Sequence, residues 1–361
     1  MRELSVPEDN QGCVRSVSTT GRHVTPSLTR ALVAVMLIVG CSDGGDRPDR
    51  AETLVSEVVA TGFVGPTQLS VGGDGGWYLS QLNGGENDEN GQVLRLDPDD
   101  LGAAPQVVLD GLDKPTGVAV FAGDLWVMER RRLSRFALDG SDPRVIADDM
   151  AFNGRSEGTL TVDGDHLLFD TAGNRNDAPD LDGTPQTSSG TLWQVDADGT
   201  IEALATGFKH AYARARSDDG TLWTTEIADG SYDGTPAVDE VVAVTPGADH
   251  GWPACVGDNR PVDEYGGTEE SCAEVPGSQA TFEVGATPTS IVVAPWDPDQ
   301  LLVTLWVSGE VVSIPADPDA APAEPTVVFD EVERPQHLTV DGDRVLLVDH
   351  DGGRILALTP G

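Results

Sequence analysis

Four cations and two histidines recur beside short apolar strands in this 361-residue chain: Lys114 before Pro115, Arg155 ahead of Gly158, Lys209 next to His210, and Arg334 before Pro335 with His337. The chain has only two lysines, and both belong to this set. With 61 acidic against 22 basic residues and a net charge of −39, cations gathered at one mouth would make a pocket for a small organic anion. Gln68, at the matching position of another repeat, would add an amide to that pocket. The alternative is that these cations neutralise neighbouring acids such as Asp113 and Glu157. His210 and His337 are the candidate catalytic residues, because imidazole changes charge near neutrality. Asp170, Asn174 and Asp177 offer hard oxygens suited to Ca²⁺, without EF-hand spacing.

Positioning such groups needs a scaffold, and the chain repeats one. Six copies run from Gly65, Lys114, Gly158, His210, Thr287 and Arg334, each with an apolar strand, a Gly/Asp turn, and further strands often carrying Trp. Most copies start about 40 to 50 residues apart, the spacing of four-stranded units stacked radially. With 42 Gly and 24 Pro, long helices are excluded. The expected fold is all-β: a six-bladed β-propeller of four-stranded blades spanning residues 51–361. The last copy lacks an outer strand, so residues 55–59 are expected to close the last blade. In the fourth blade the outer strand is expected at residues 281–284.

Residues 31–40 are apolar, end at Cys41, and are too short to span a bilayer, which needs about 20 residues. The stretch Ile38-Val39-Gly40-Cys41 resembles a bacterial lipobox. Residues 1–40 then read as a signal peptide, Cys41 as the lipidated residue and 42–50 as a flexible spacer. Ser42 resembles the sorting residue of outer-membrane lipoproteins, so the expectation is an exported monomer tethered to the bacterial envelope. Nucleic-acid partners are excluded by the charge. In an oxidising compartment Cys255 and Cys272 are expected to pair as a loop-stapling disulfide.

The stretches Gly158-Thr159-Leu160, Asp170 to Arg175, Gly190-Thr191-Leu192, Thr206 to Lys209, Gly220 to Trp223, and above all Pro246-Gly247-Ala248-Asp249-His250-Gly251-Trp252-Pro253, resemble the glucose/sorbosone dehydrogenase family. The resemblance runs over about residues 114–358. It implies a six-bladed propeller that oxidises aldoses with the tricarboxylate pyrroloquinoline quinone and calcium. By that resemblance Arg155, Lys209, Arg334, Lys114 and Gln68 would contact the cofactor. Three departures stand out. Arg155 occupies the place of the family's catalytic His, and a guanidinium is no general base. Lys209-His210-Ala211 replaces Arg-Asn-Pro, losing a planar bidentate contact. No cation falls at Trp306-Val307-Ser308, where a lysine is expected. Three readings stay open: a dehydrogenase with a degenerate site, a non-catalytic propeller binding a small anion or another envelope component, and a metal-dependent gluconolactonase-like hydrolase using Glu157.

Overall fold

The structure is a computed structural model and describes residues 53–151, 158–173 and 189–361. Cys41, Arg155, Glu157, Asn174 and Asp177 lie outside the described residues. Six four-stranded antiparallel sheets follow one another along the chain. Their innermost strands are Pro66–Val71, Gly117–Phe121, Thr161–Asp163, Ala211–Arg216, Pro288–Ala294 and Pro335–Asp341. Each innermost strand packs against the next, and the sixth packs against the first, which closes the ring. Leu54–Thr61 pairs with Arg354–Pro360 in the sixth blade, so the N-terminal strand completes that sheet as expected.

Side chains of a strand alternate between faces, and here each face meets a different blade. Leu125 and Val127 pack towards the first blade with Tyr78 and Val93. Their neighbours Trp126 and Met128 pack towards the third with Leu167 and Phe169. Six apolar clusters of this kind fill the six blade junctions. Trp77, Trp126, Trp193 and Trp223 are all fully buried in them. Each such side chain contributes on the order of 2 to 3 kcal/mol of transfer free energy, so a blade without its neighbours would lose most of its stability.

Hydrogen bonds between blades set the centre of the ring. Thr67 Oγ1 donates to Pro115 O at 2.7 Å, Thr116 to Gly158 O at 3.4 Å, Thr159 to Tyr212 O at 3.2 Å and Thr289 to Pro335 O at 2.7 Å. At the sixth-to-first junction His350 takes the threonine's place, its Nδ1 lying 2.9 Å from Pro66 O. The innermost strands bulge between Pro66 and Leu69, Ala211 and Arg214, Pro288 and Ser290, and Pro335 and His337. A bulge leaves a residue out of the ladder and re-aims it, here Gln68, Tyr212, Thr289 and Gln336 beside the axis.

The fourth blade carries the insertion. Between its third and fourth strands lie a small hairpin, a short helix Glu269–Cys272 and the Cys255–Cys272 disulfide. Val256 and Val262 of this excursion pack against Tyr232, from the segment between the second and third strands. Its outer strand is Ser278–Thr281, three residues earlier than residues 281–284. Phe282 N still donates to Asp239 O at 2.8 Å, after which Thr287 N donates to Asp239 Oδ2 at 2.8 Å as the chain enters the fifth blade, leaving Val284 exposed.

Candidate functional site

Two cavities open along the axis, on either side of the bulged strand starts. The first, of about 410 Å³, is lined by Thr67, Lys114, His210, Tyr212, Trp306, Gln336 and His350 among others. The second, of about 400 Å³, is lined by Gln68, Arg214 and His337 with the backbones around them. The bulged strand starts therefore separate residues that are adjacent in sequence: Thr67 from Gln68, and Gln336 from His337. The two candidate histidines, His210 and His337, face different cavities.

Three of the expected cations are described, and each has an acidic partner. Lys114 Nζ lies 2.8 Å from Glu86 Oε2. Its hydrogen bond and charge hold the Glu86 carboxyl below the usual range. Lys209 Nζ donates to Gly173 O at 3.0 Å, lies 3.6 Å from Asp229 Oδ1 and sits over Trp252. Arg334 donates to the Trp306 and Val307 carbonyls, stacks over the Trp306 ring at 5.8 Å and approaches Asp351 at 3.6 Å. A sixth-blade cation thus covers the fifth-blade stretch that lacks one. The acids are Glu86, Asp229 and Asp351 rather than Asp113, which pairs with Arg130: Glu86 reaches Lys114 across the first-to-second junction, whereas Asp229 and Asp351 lie on turns of the same blades as Lys209 and Arg334.

Gln68 is not a ligand-facing amide. Its oxygen accepts from Val118 N at 3.1 Å and Leu160 N at 2.9 Å, and its nitrogen donates to Leu160 O at 2.7 Å. It ties the first, second and third blades together. Among the described residues, then, no cradle for a tricarboxylate is formed: an incoming quinone would have to displace Glu86, Asp229 and Asp351 from Lys114, Lys209 and Arg334. The residues described do not fit pyrroloquinoline quinone.

Asp170 belongs to a buried charge network. Its Oδ2 lies 2.8 Å from His210 Nδ1, and its Oδ1 accepts from Gly158 N at 3.1 Å and from Arg214 at 3.2 Å. Both oxygens are engaged, which leaves Asp170 poorly placed for the expected Ca²⁺ role. Among the described residues no group of three His, Cys, Asp or Glu is placed to hold a metal ion. Arg214 is wholly buried and donates also to the Thr159, Leu168, Ala211 and Tyr212 carbonyls. Burial weakens its hold on a proton while the Asp170 charge opposes that effect.

His210 and Tyr212 meet edge to face at 5.1 Å, and Gln336 Nε2 donates to Tyr212 Oη at 2.9 Å. Burial pushes the Tyr212 phenol up to about 12, so it stays a donor. His337 pairs with Thr339 at 3.1 Å and is pushed down to about 3 by burial and then by Arg214, so it stays neutral. Behind His210, Glu226 accepts the Lys209 N–H and fixes the backbone of the site. Lys114 and Thr287 adopt φ of +50° and +58°. A left-handed non-glycine residue costs about 1 to 3 kcal/mol and marks strain held at a site.

Arg214, His350, Trp306, Glu86, Asp229 and Glu226 were not among the expected site residues. Arg214 has a signal in hindsight: a cation inside the apolar innermost strand Ala211–Arg216 must be paired or buried with partners. Glu86, His350 and Trp306 depend on inter-blade placement, and Asp229 and Glu226 on how the fourth blade folds back on Lys209.

No protein-family model matches the chain, and no curated protein sequence does. Solved structures share its fold. A carbohydrate-active enzyme of family AA12 from Trichoderma reesei superposes with a TM-score of 0.67 at 17% identity, over 86% of this chain and 97% of that one. The PQQ-bound form of an aldose sugar dehydrogenase from Streptomyces coelicolor gives 0.67 at 18% identity, over 85% and 98%. A gluconolactonase from Xanthomonas campestris gives 0.53 at 16% identity, over 85% and 89%. At these identities the likeness is one of architecture, since one fold hosts many chemistries. The chain shares the six-bladed fold of the quinone-dependent sugar dehydrogenase propellers that its motifs resemble.

Proposed function

We propose that this protein is a carbohydrate-handling propeller whose first axial cavity binds a neutral polyhydroxylated ligand of aldose size, with His210 as proton acceptor. The observation that carries this reading is the His210–Asp170 pair at the cavity wall. A carboxylate at Nδ1 orients the ring, and an imidazole held in this way is the usual proton acceptor in such sites. Arg214 supplies the compensating charge behind Asp170. Trp306 and Tyr212 add aromatic faces, and about 410 Å³ accommodates a monosaccharide. The sugar chemistry named for the fold neighbours agrees with this class. Tethering to the envelope through Cys41 is part of the proposal.

Taking a hydroxyl proton is half of an oxidation, and the described cations do not fit the quinone. That misfit favours a second reading, hydrolysis of a sugar lactone. His210 would take a proton from water as its oxygen adds to the carbonyl carbon. The proton would then pass to the ring oxygen as the acyl C–O bond breaks. This step balances with water alone.

Titration calorimetry with aldoses and aldonolactones, followed by lactonase assays and by dye-linked assays with PQQ and Ca²⁺, tests both readings. His210→Ala should keep ligand affinity within about threefold and lower turnover at least about 100-fold, the usual worth of a positioned base. Absence of binding by any sugar or lactone would overturn the proposal. Binding without turnover in either assay would assign a binding protein.

A further inference from the structure

The hydrogen-bond polarity of the first cavity points to a narrower ligand class, and this step rests on reading that cavity as a sugar site. Thr67 and Thr289 line it, but each donates its only hydroxyl hydrogen to a carbonyl of the next blade, Pro115 O and Pro335 O, both at 2.7 Å. That leaves neither hydroxyl a hydrogen for a ligand, and each oxygen is also shared with a buried hydroxyl, Ser80 Oγ at 2.7 Å and Thr304 Oγ1 at 3.0 Å. His350 is fixed in the same sense. Pro66 O can only accept, so Nδ1 carries a hydrogen, and the tautomer this selects has its lone pair on Nε2.

The ring of His350 is held on several sides. Its own backbone N donates to Arg334 O at 2.9 Å, and Trp306 meets it edge-on at 5.1 Å. Gly65, at φ +58°, leaves room for it: a Cβ there would stand 3.2 Å from Cε1 and 3.4 Å from Nε2. The remaining charged groups of the lining are Glu86 and Asp229, which only accept, and Lys114, whose ammonium is already paired with Glu86. A ligand carboxylate would face two carboxylates in a protein of net charge −39.

We infer that this cavity takes neutral sugars and amino sugars and refuses sugar acids, with His350 Nε2 as a specificity-determining acceptor. Calorimetry of the wild-type protein with a hexose, its 2-amino derivative and its uronic acid tests the class without any variant. The hexose and amino sugar should bind, and the uronic acid should bind at least about tenfold more weakly. His350→Leu should weaken hexose binding about tenfold, the worth of one lost hydrogen bond. His350→Gln, which keeps a donor for Pro66 O and an acceptor for the ligand, should restore most of it. Thermal melting of both variants separates loss of the ligand contact from loss of the fold. A uronic acid that binds as tightly as the hexose would overturn the inference, as would an unchanged hexose affinity in a folded His350→Leu protein. If the hexose does not bind at all, the sugar-site reading fails with it.

Discussion

Glu226 and Glu240 stand directly opposite each other on neighbouring strands of the fourth blade, both buried. Glu226 Oε1 accepts the Lys209 N–H, and Glu240 Oε2 accepts from Ser278 and from Asp258 N. Burial and then the Glu240 charge push the Glu226 carboxyl well above its ordinary range, and burial raises Glu240 too. The folded protein keeps protons that the unfolded chain releases above about 4.5, so this pair removes stability as pH rises from there. Glu226→Gln keeps an acceptor for Lys209 and abolishes the titration. It should melt higher than wild type at pH 8 and show a flatter decline between pH 5 and 8. Glu226→Ala, which leaves the Lys209 N–H unpaired, should instead lose about 1 to 3 kcal/mol. Identical pH slopes for wild type and Glu226→Gln would refute the assignment.

Gln68 joins the ring by three hydrogen bonds to Val118 and Leu160. Gln68→Met conserves shape and strands two N–H groups and a carbonyl in the interior. A loss of about 2 to 4 kcal/mol is expected from urea unfolding, whereas a cofactor-contacting role would leave the midpoint unchanged and alter ligand binding alone.

His337 works in the opposite pH direction. Its folded value of about 3 lies below the ordinary 6.5, so in acid the unfolded chain takes up a proton that the folded chain refuses. Stability therefore falls as pH drops below 6.5. His337→Gln should lose about 3 kcal/mol less than wild type between pH 6.5 and 4. His250, pushed down to about 4 by burial, acts in the same sense and should leave a residual slope. Equal acid losses in the two proteins would show that His337 protonates freely.

The Cys255–Cys272 bond closes a loop of sequence separation 17 around the excursion that delivers Asp258 to Glu240. Replacing both cysteines by serine should cost about 3 kcal/mol by the chain-entropy estimate. Differential calorimetry of the oxidised and serine proteins measures it, and a difference under about 1 kcal/mol would mean that the excursion is held by the packing of Val256 and Val262 against Tyr232.

Repeats and alternation were enough to read the architecture from the chain. Each blade is specified by a two-residue period and by Gly and Asp turns, signals that act over a few residues. The closure by Leu54–Thr61 and the pairing of Cys255 with Cys272 follow from counting strands and cysteines. Only the tertiary structure decided what faces the centre. Bulges at Pro66, Ala211, Pro288 and Pro335 put Gln68 and His337 on one side of the strand starts and Thr67 and Gln336 on the other. No local pattern distinguishes a bulged strand start from a regular one. Likewise Asp170 meets His210 and Arg214 from 40 and 44 residues away, and Lys114 meets Glu86 across a blade junction. Charge counts register such groups one by one, whereas their partners are set by how six sheets close on each other.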